Sequence, residues 1–333
     1  MILLGIETSC DETSIAILID NNVIINLVSS QLIHQEFGGV VPEYASREHM
    51  RLIQNLVKSA LKQTGIVLSE IDGVAVTRGP GLMGALLVGL NFAKGLCYSL
   101  NKPLLAVNHV EGHIMANFLD HTDLEFPFLC LLVSGGHTQI IEVKDFGDYT
   151  ILGRSLDDAA GEAFDKAARI LGLGYPGGVY IDELSKDGNP KFYDFPRAKI
   201  KSNLRDFSFS GLKTSILYLV KQQGVEWANE NIKDLCASYQ QAIVDVLKTN
   251  TFLTAEEYGF RKIVLAGGVA ANSKLREEFT CIAQKIGVKI YFPSLEYCTD
   301  NAAMITRAGI EMMKRNIISP LSVSAVPNLS LIS

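Results

Sequence analysis

The sequence has no closely paired cysteines, no excess of positive charge and no long apolar run. Its six cysteines, at 10, 97, 130, 236, 281 and 298, include no C-x-x-C pair. That argues against a zinc ribbon and against a disulfide framework, so reduced thiols of a cytoplasmic protein are the expectation. A net charge of −6 does not suit broad nucleic-acid binding, although a local basic patch is compatible with it. The longest apolar run, Leu82 to Asn91, is too short to cross a bilayer, and Lys94 follows it. The first residues lack a basic stretch and hold Glu7, Asp11 and Glu12, which do not suit a signal peptide. No membrane segment is expected, and there is no Walker A loop.

What is present is 333 residues, 48% apolar and 20% charged, enough for two domains each with its own core. Apolar runs at 3–7, 15–20 and 23–30, separated by the polar turn 8–13 and by Asn21-Asn22, read as a strand meander. Residues 42–64 read as an amphipathic helix, with His49, Leu52, Ile53, Leu56 and Leu61 near one stripe. A strand at 71–77 ends in Arg78-Gly79-Pro80-Gly81, and a small-residue helix (82–100) and a strand (104–107) follow. The same order then recurs: strands at 128–133 and 139–143 around the turn 134–138, a third at 149–152, a helix at 158–171, a strand at 262–266 ending in Gly267-Gly268, a helix at 271–286, a strand at 289–292 and a helix at 301–315. Such a duplication of architecture predicts an α/β fold of two similar lobes, 1–118 and 119–333, around a central cleft. The second lobe carries an inserted basic and aromatic segment near 175–215.

His109 and His113 lie four apart at the start of the apolar run 114–119. At helical spacing they share a face and can grip one divalent ion, although a solvated helix shows the same spacing. From Gly79 to His109 is 30 residues and from Gly267 to Asp300 is 33, so Asp300 holds nearly the place of His109 in the second half. Facing halves would bring Asp300 from the far lobe to the histidines. Two histidines and one aspartate with open positions suit iron, zinc or manganese. The competing role for Asp300 is a helix cap, with Thr299 as the alternative cap.

The turns 8–13 and 134–138 are rich in hydroxyls and glycine, so their amides can cradle a phosphate or an acyl oxyanion; ordinary tight hairpins are the plainer reading. Gly267-Gly268 precedes Asn272 at a helix start, where Asn272 can bond a ribose or base edge. Gly172 to Gly177 matches G-x-G-x-x-G but follows a helix, which excludes a dinucleotide fingerprint. Asp165, Gly178 and Asp182 bracket it, as holders of ribose hydroxyls or as ordinary solvated groups. Lys191, Arg197, Lys199, Lys201, Arg205 and Lys213 are interleaved with Phe192, Tyr193, Phe195, Phe207 and Phe209. Cations for phosphates and rings for stacking suit a nucleic-acid contact, and a surface loop over core aromatics has the same composition.

Nine stretches together resemble the tRNA N6-adenosine threonylcarbamoyltransferase family of the bacterial TsaD type: GIETSCDET (5–13), FGGVVPEYASREH (37–49), TRGPGLMGALLVG (77–89), NHVEGH (108–113), LVSGGHTQ (132–139), GEAFDKAARILGLGYPGG (161–178), FSFSGLKT (207–214), AGGVAANSKLR (266–276) and CTDNAAM (298–304). The resemblance implies the actin-like, sugar kinase and Hsp70 ATPase (ASKHA) fold. It implies one divalent metal per subunit on His109, His113 and Asp300, iron first and zinc second. Substrate contacts fall on Leu132, Val133, Ser134, Gly135, Gly136, Asp165, Gly178, Asp182 and Asn272. Leu132 stands where the archaeal and eukaryotic branch has a tyrosine ligand, which implies a more open site.

The implied activity moves a threonylcarbamoyl group from threonylcarbamoyl-AMP to N6 of the adenosine beside the anticodon, in tRNAs reading codons that start with A, and releases AMP. Asp11 and Glu12 are then the candidates for taking or orienting the amine proton, with His137 behind them. Lys199, Lys201 and Arg205 are the candidate tRNA contacts. The implied partners are a separate synthase for the adenylate, a non-catalytic ASKHA paralogue (TsaB type) and a small ATPase (TsaE type). The alternatives are a metallopeptidase, an ATP-dependent kinase on the same fold and a non-catalytic scaffold. Glu111 stands in the middle of H-V-E-G-H rather than where H-E-x-x-H puts its base, which disfavours the first.

Overall fold

Leu3, Leu4 and Ile6 leave the first strand no polar face, and in the computed structural model that strand is buried at the centre of a sheet. The structure describes residues 1–35, 37, 39–200 and 202–332. The first elements are β1 (Ile2–Glu7), β2 (Glu12–Ile19), β3 (Asn22–Ser30), α1 (Pro42–Thr64), β4 (Gly73–Gly79), α2 (Met83–Leu100), β5 (Leu104–Asn108), α3 (His109–Met115) and α4 (Asn117–Asp120). Next come β6 (Phe128–Val133), β7 (Thr138–Asp145), β8 (Asp148–Arg154), α5 (Ala160–Ile170), α6 (Gly177–Ser185), α7 (Ser210–Gln223), α8 (Val225–Glu230), α9 (Ile232–Tyr258), β9 (Lys262–Ala266), α10 (Ser273–Ile286) and β10 (Lys289–Tyr291). The chain ends with α11 (Leu295–Cys298) and α12 (Ala302–Lys314).

Two five-stranded sheets carry the duplication. Their orders are β3-β2-β1-β4-β5 and β8-β7-β6-β9-β10. In each, the first three strands in sequence form an antiparallel meander, and the last two run parallel to the first. The equivalence of the halves is therefore one of pairing, not only of element order.

The chain forms two compact units, 1–124 with 293–333, and 125–292. The boundaries read from the sequence, 1–118 and 119–333, differ because the chain re-enters the first unit at Pro293. There α12 packs on β1, β2, β4 and β5. Gly5 admits that contact: a Cβ at this position would lie 1.7 Å from Thr306 Oγ and 2.7 Å from the Ala302 carbonyl. Asp300 thus belongs to the same unit as His109 and His113, and not to a far lobe.

In the first unit, α2 is long and apolar enough to cross a membrane by length and composition alone. Its stripe of Ala85, Leu86, Leu90, Ala93 and Cys97 is buried, and it packs on β4 and α1, as a core helix does. In the second unit, α6 to α9 fill a region where periodicity marks no helix. The longest, α9, buries Ser238, Gln240, Thr251 and Thr254 along with its apolar residues, so no two-faced pattern marks it.

Candidate metal and transfer site

The site begins where β5 hands over to α3. Asn108 caps that helix by accepting a hydrogen bond from Val110 N at 2.9 Å. The cap makes His109 the first helical residue and puts His113 one turn above it. Both imidazoles are buried, with ring centroids 4.7 Å apart and edge to face. Gly112 lets α12 approach: a Cβ there would lie 2.7 Å from Ile305 Cδ1.

Asp300 closes the set. Its Oδ1 lies 3.3 Å from His109 Nε2 and 3.2 Å from His113 Nε2. The aspartate is free for this because neither it nor Thr299 caps α12. Asn301 does so, accepting from Met304 N at 2.9 Å and donating to the Thr299 carbonyl at 2.7 Å. The three residues form a group whose donor atoms lie within 4.8 Å of one another. Ligand bonds of about 2.0–2.2 Å at tetrahedral angles set donor atoms roughly 3.3–3.5 Å apart. The two separations from Asp300 to the histidine nitrogens match that spacing.

The electrostatics point the same way. Burial opposes charge on Asp300, yet His109 and His113 hold its carboxyl far below the usual aspartate range. Burial likewise opposes a charged His109, and the carboxylates of Asp300 and Glu7 overcome it and raise the imidazole well above its ordinary value. The pocket therefore favours positive charge at its centre. Glu12 opens β2 nearby. Burial first, then Asp300 and Asp11, push its carboxyl up to about 9. A cation among these groups would oppose that shift.

Three features of this unit were not legible as site residues. Glu7 is fully buried at the end of β1, with His109 Nδ1 3.2 Å from its Oε2. Ser9 Oγ lies 3.2 Å from the same nitrogen. His49, read above as one member of an apolar stripe, holds the acidic turn. Its Nε2 donates to the Cys10 carbonyl at 2.9 Å, which leaves Nδ1 to accept from Thr13 Oγ at 2.8 Å. The buried Gln31 and His34 continue that network.

The expected substrate residues cluster in the second unit. Leu132 and Val133 are buried in β6, and Leu132 pairs with Ala266 of β9, so the turns at 134–136 and 267–268 leave the sheet side by side. Gly135 and Gly136 are exposed. Ser134 fixes the turn: its N–H donates to the His137 carbonyl at 2.8 Å and its Oγ accepts from His137 N at 3.1 Å. Asp165 accepts from Gly177 N at 2.7 Å, and burial raises its carboxyl despite bonds from the Gly177 and Gly178 amides. It orders the start of α6. Asp182 accepts from Ser273 Oγ at 2.8 Å, joining α6 to α10. Asn272 caps α10 through Leu275 N at 2.9 Å and donates to Gln240 Oε1 at 2.6 Å.

The basic segment is less available than its composition implies. Phe195, Phe207 and Phe209 are core residues and cannot stack on bases. Arg205 donates to both carboxylate oxygens of Glu257 at 2.7 Å and lies over the Tyr258 ring. Lys199 is exposed, and Lys201 lies outside the described residues.

Comparison with known proteins agrees with the geometry. A family model described as tRNA N6-adenosine threonylcarbamoyltransferase matches residues 22–307. Relatives of that name from Kosmotoga olearia and Fervidobacterium nodosum are 52% and 53% identical, over 100% and 98% of this chain and 100% and 98% of theirs. Among solved structures, full-length HypF in its phosphate- and nucleotide-bound form matches with a TM-score of 0.59 at 14% identity, over 94% of this chain and 46% of that one. Component A of (R)-2-hydroxyglutaryl-CoA dehydratase from Acidaminococcus fermentans matches with a TM-score of 0.56 at 15% identity, over 95% and 99%. At such identities the likeness concerns the fold alone, which is the ASKHA fold. The chain belongs to the tRNA N6-adenosine threonylcarbamoyltransferase family, a family of tRNA-modifying transferases.

Proposed function

We propose that the chain moves a threonylcarbamoyl group from threonylcarbamoyl-AMP to N6 of the adenosine next to the anticodon, in tRNAs reading codons that start with A, and releases AMP. The observation that carries this reading is the convergence of His109, His113 and Asp300 on one point in a chain of this family. An exocyclic adenine amine is a weak nucleophile, so the reaction depends on an activated acyl donor held in position. N6 forms a bond to the carbamoyl carbon, the bond from that carbon to the phosphate oxygen breaks, its electron pair leaves with AMP, and N6 loses a proton. Asp11 and Glu12 are the proposed acceptors or orienters of that proton.

Held by His109, His113 and Asp300, a divalent metal, iron first and zinc second, supplies Lewis-acid polarisation of the acyl donor. Backbone amides of Ser134, Gly135 and Gly136, carried on Leu132 and Val133, meet the phosphate or the developing oxyanion in this reading. Gly178, Asp182 and Asn272 serve the nucleoside, and Asp165 acts by ordering the amides of Gly177 and Gly178. Lys199, Lys201 and Arg205 are proposed contacts to the tRNA backbone. The proposed partners are an adenylate-forming synthase, a TsaB-type paralogue and a TsaE-type ATPase, in the cytoplasm.

The test is to incubate the purified chain with tRNA, threonylcarbamoyl-adenylate and these partners, then to weigh the nucleosides. One threonylcarbamoylated adenosine per substrate tRNA is expected. Unmodified tRNA with the adenylate merely hydrolysed contradicts the reading.

A further inference from the structure

We propose that Glu7 is a positioning residue for His109: its carboxylate, assisted by Ser9 and Thr77, keeps the proton on Nδ1 so that Nε2 faces the ion as a bare lone pair. The inference rests on the reading of His109 as a metal ligand and adds the group that orients it.

Glu7 is fully buried, and a buried carboxylate is tolerated only when its lone pairs are occupied. Ser9 N donates to Oε1, and the Thr77 hydroxyl donates to Oε2. His109 Nδ1 lies 3.2 Å from that same Oε2. The sheet makes this meeting: Ile6 pairs with Val76, and Thr77 pairs with Val107, two residues before His109. Three adjacent strand ends thus deliver a carboxylate, a hydroxyl and an imidazole to one place.

An ionised carboxylate only accepts. A bare Nδ1 facing it at 3.2 Å would set two electron-rich atoms against each other, so Nδ1 carries the hydrogen, and an ion between Nε2 and Asp300 Oδ1 would meet the lone pair of Nε2. A carboxylate behind a histidine is the arrangement that fixes a ligand's ring and raises its basicity. His113 differs: its Nδ1 is buried and has no hydrogen-bond partner among the described residues. The two imidazoles are unequal, with His109 anchored by hydrogen bonds and His113 held by packing.

Cobalt(II) alone is the probe, titrated into the full chain and followed by its visible d–d bands. Glu7→Gln is expected to weaken cobalt binding about 10- to 100-fold and to shift the bands. Unchanged affinity and spectrum in Glu7→Gln, with affinity lost in His109→Ala, overturns the positioning role and leaves the metal reading intact. Full affinity in His109→Ala overturns both. Should Glu7→Gln fail to fold, the zinc-loaded wild type answers the question through histidine 15N shifts. A protonated Nδ1 and a metal-bound Nε2 on His109 are expected. The reverse assignment overturns the proposal.

Discussion

Replacing Asn301 with alanine should both destabilise the first unit and weaken metal binding, although Asn301 touches no metal ligand through its side chain. The side chain is fully buried and makes two kinds of bond. Its oxygen accepts from Met304 N at 2.9 Å and caps α12; its amide donates to the Thr299 carbonyl at 2.7 Å. Losing the cap costs about 1 kcal/mol. Stranding the Thr299 carbonyl adds about 1–3 kcal/mol. The sum is about 2–4 kcal/mol in urea unfolding followed by circular dichroism. Asp300 lies between Thr299 and Asn301, so the same loss frees the backbone that aims its carboxylate, and cobalt affinity should fall with it. Asn301→Ser keeps an acceptor for Met304 N and should recover about 1 kcal/mol, without the bond to Thr299. A loss below about 0.5 kcal/mol in Asn301→Ala would refute the reasoning. So would full metal affinity in a variant that had lost its stability.

Other outcomes follow from the second unit. Gly161→Ala places a Cβ 2.6 Å from the Ser134 carbonyl and 2.8 Å from Gly135 Cα, so the turn itself must move. It should lose about 1–3 kcal/mol in urea and shift the amide resonances of 134–136. Glu278 titrates below its ordinary 4.5: burial would raise it, but hydrogen bonds from Lys248 and Gln241 outweigh that. Its contribution is present above about 4.5 and is lost as pH falls through the lower folded value. Glu278→Gln should therefore flatten the acid limb of unfolding and leave the slope at pH 7–8 unchanged. Lys199→Ala should weaken tRNA binding evenly across sequences and lower the salt slope by about 1, with unfolding unchanged. Arg205→Ala should in addition lose about 0.2–1 kcal/mol with the Glu257 pair.

The strands along the chain and both hairpins were legible because the two periodicities differ and because the element order repeats; the parallel pairing of β4 with β1 and of β9 with β6 was not, since it joins segments distant in sequence. The His109, His113 and Asp300 set was legible too, from spacing and from the position of Asp300 at a helix mouth. Its route into the site was not. The sequence suggested a carboxylate arriving from the far lobe, whereas α12 folds back on β1 across Gly5, a close approach that nothing local announces. Nothing local marks Glu7, because the groups that meet its carboxylate, Thr77 and His109, are distant in sequence. Phe195, Phe207 and Phe209 interleave with lysines as a nucleic-acid strip would, and burial alone distinguishes them. Helix α9 carries no two-faced signal because its first half buries Ser238 and Gln240 along with its apolar residues.

The most direct measurement is the amount of divalent metal bound per chain at equilibrium dialysis, for the wild type and for His109→Ala, His113→Ala and Asp300→Ala. One ion per wild-type chain and a marked loss in each variant are the predicted result. Full occupancy in both His113→Ala and Asp300→Ala would contradict the claim that one ion is shared by these three side chains.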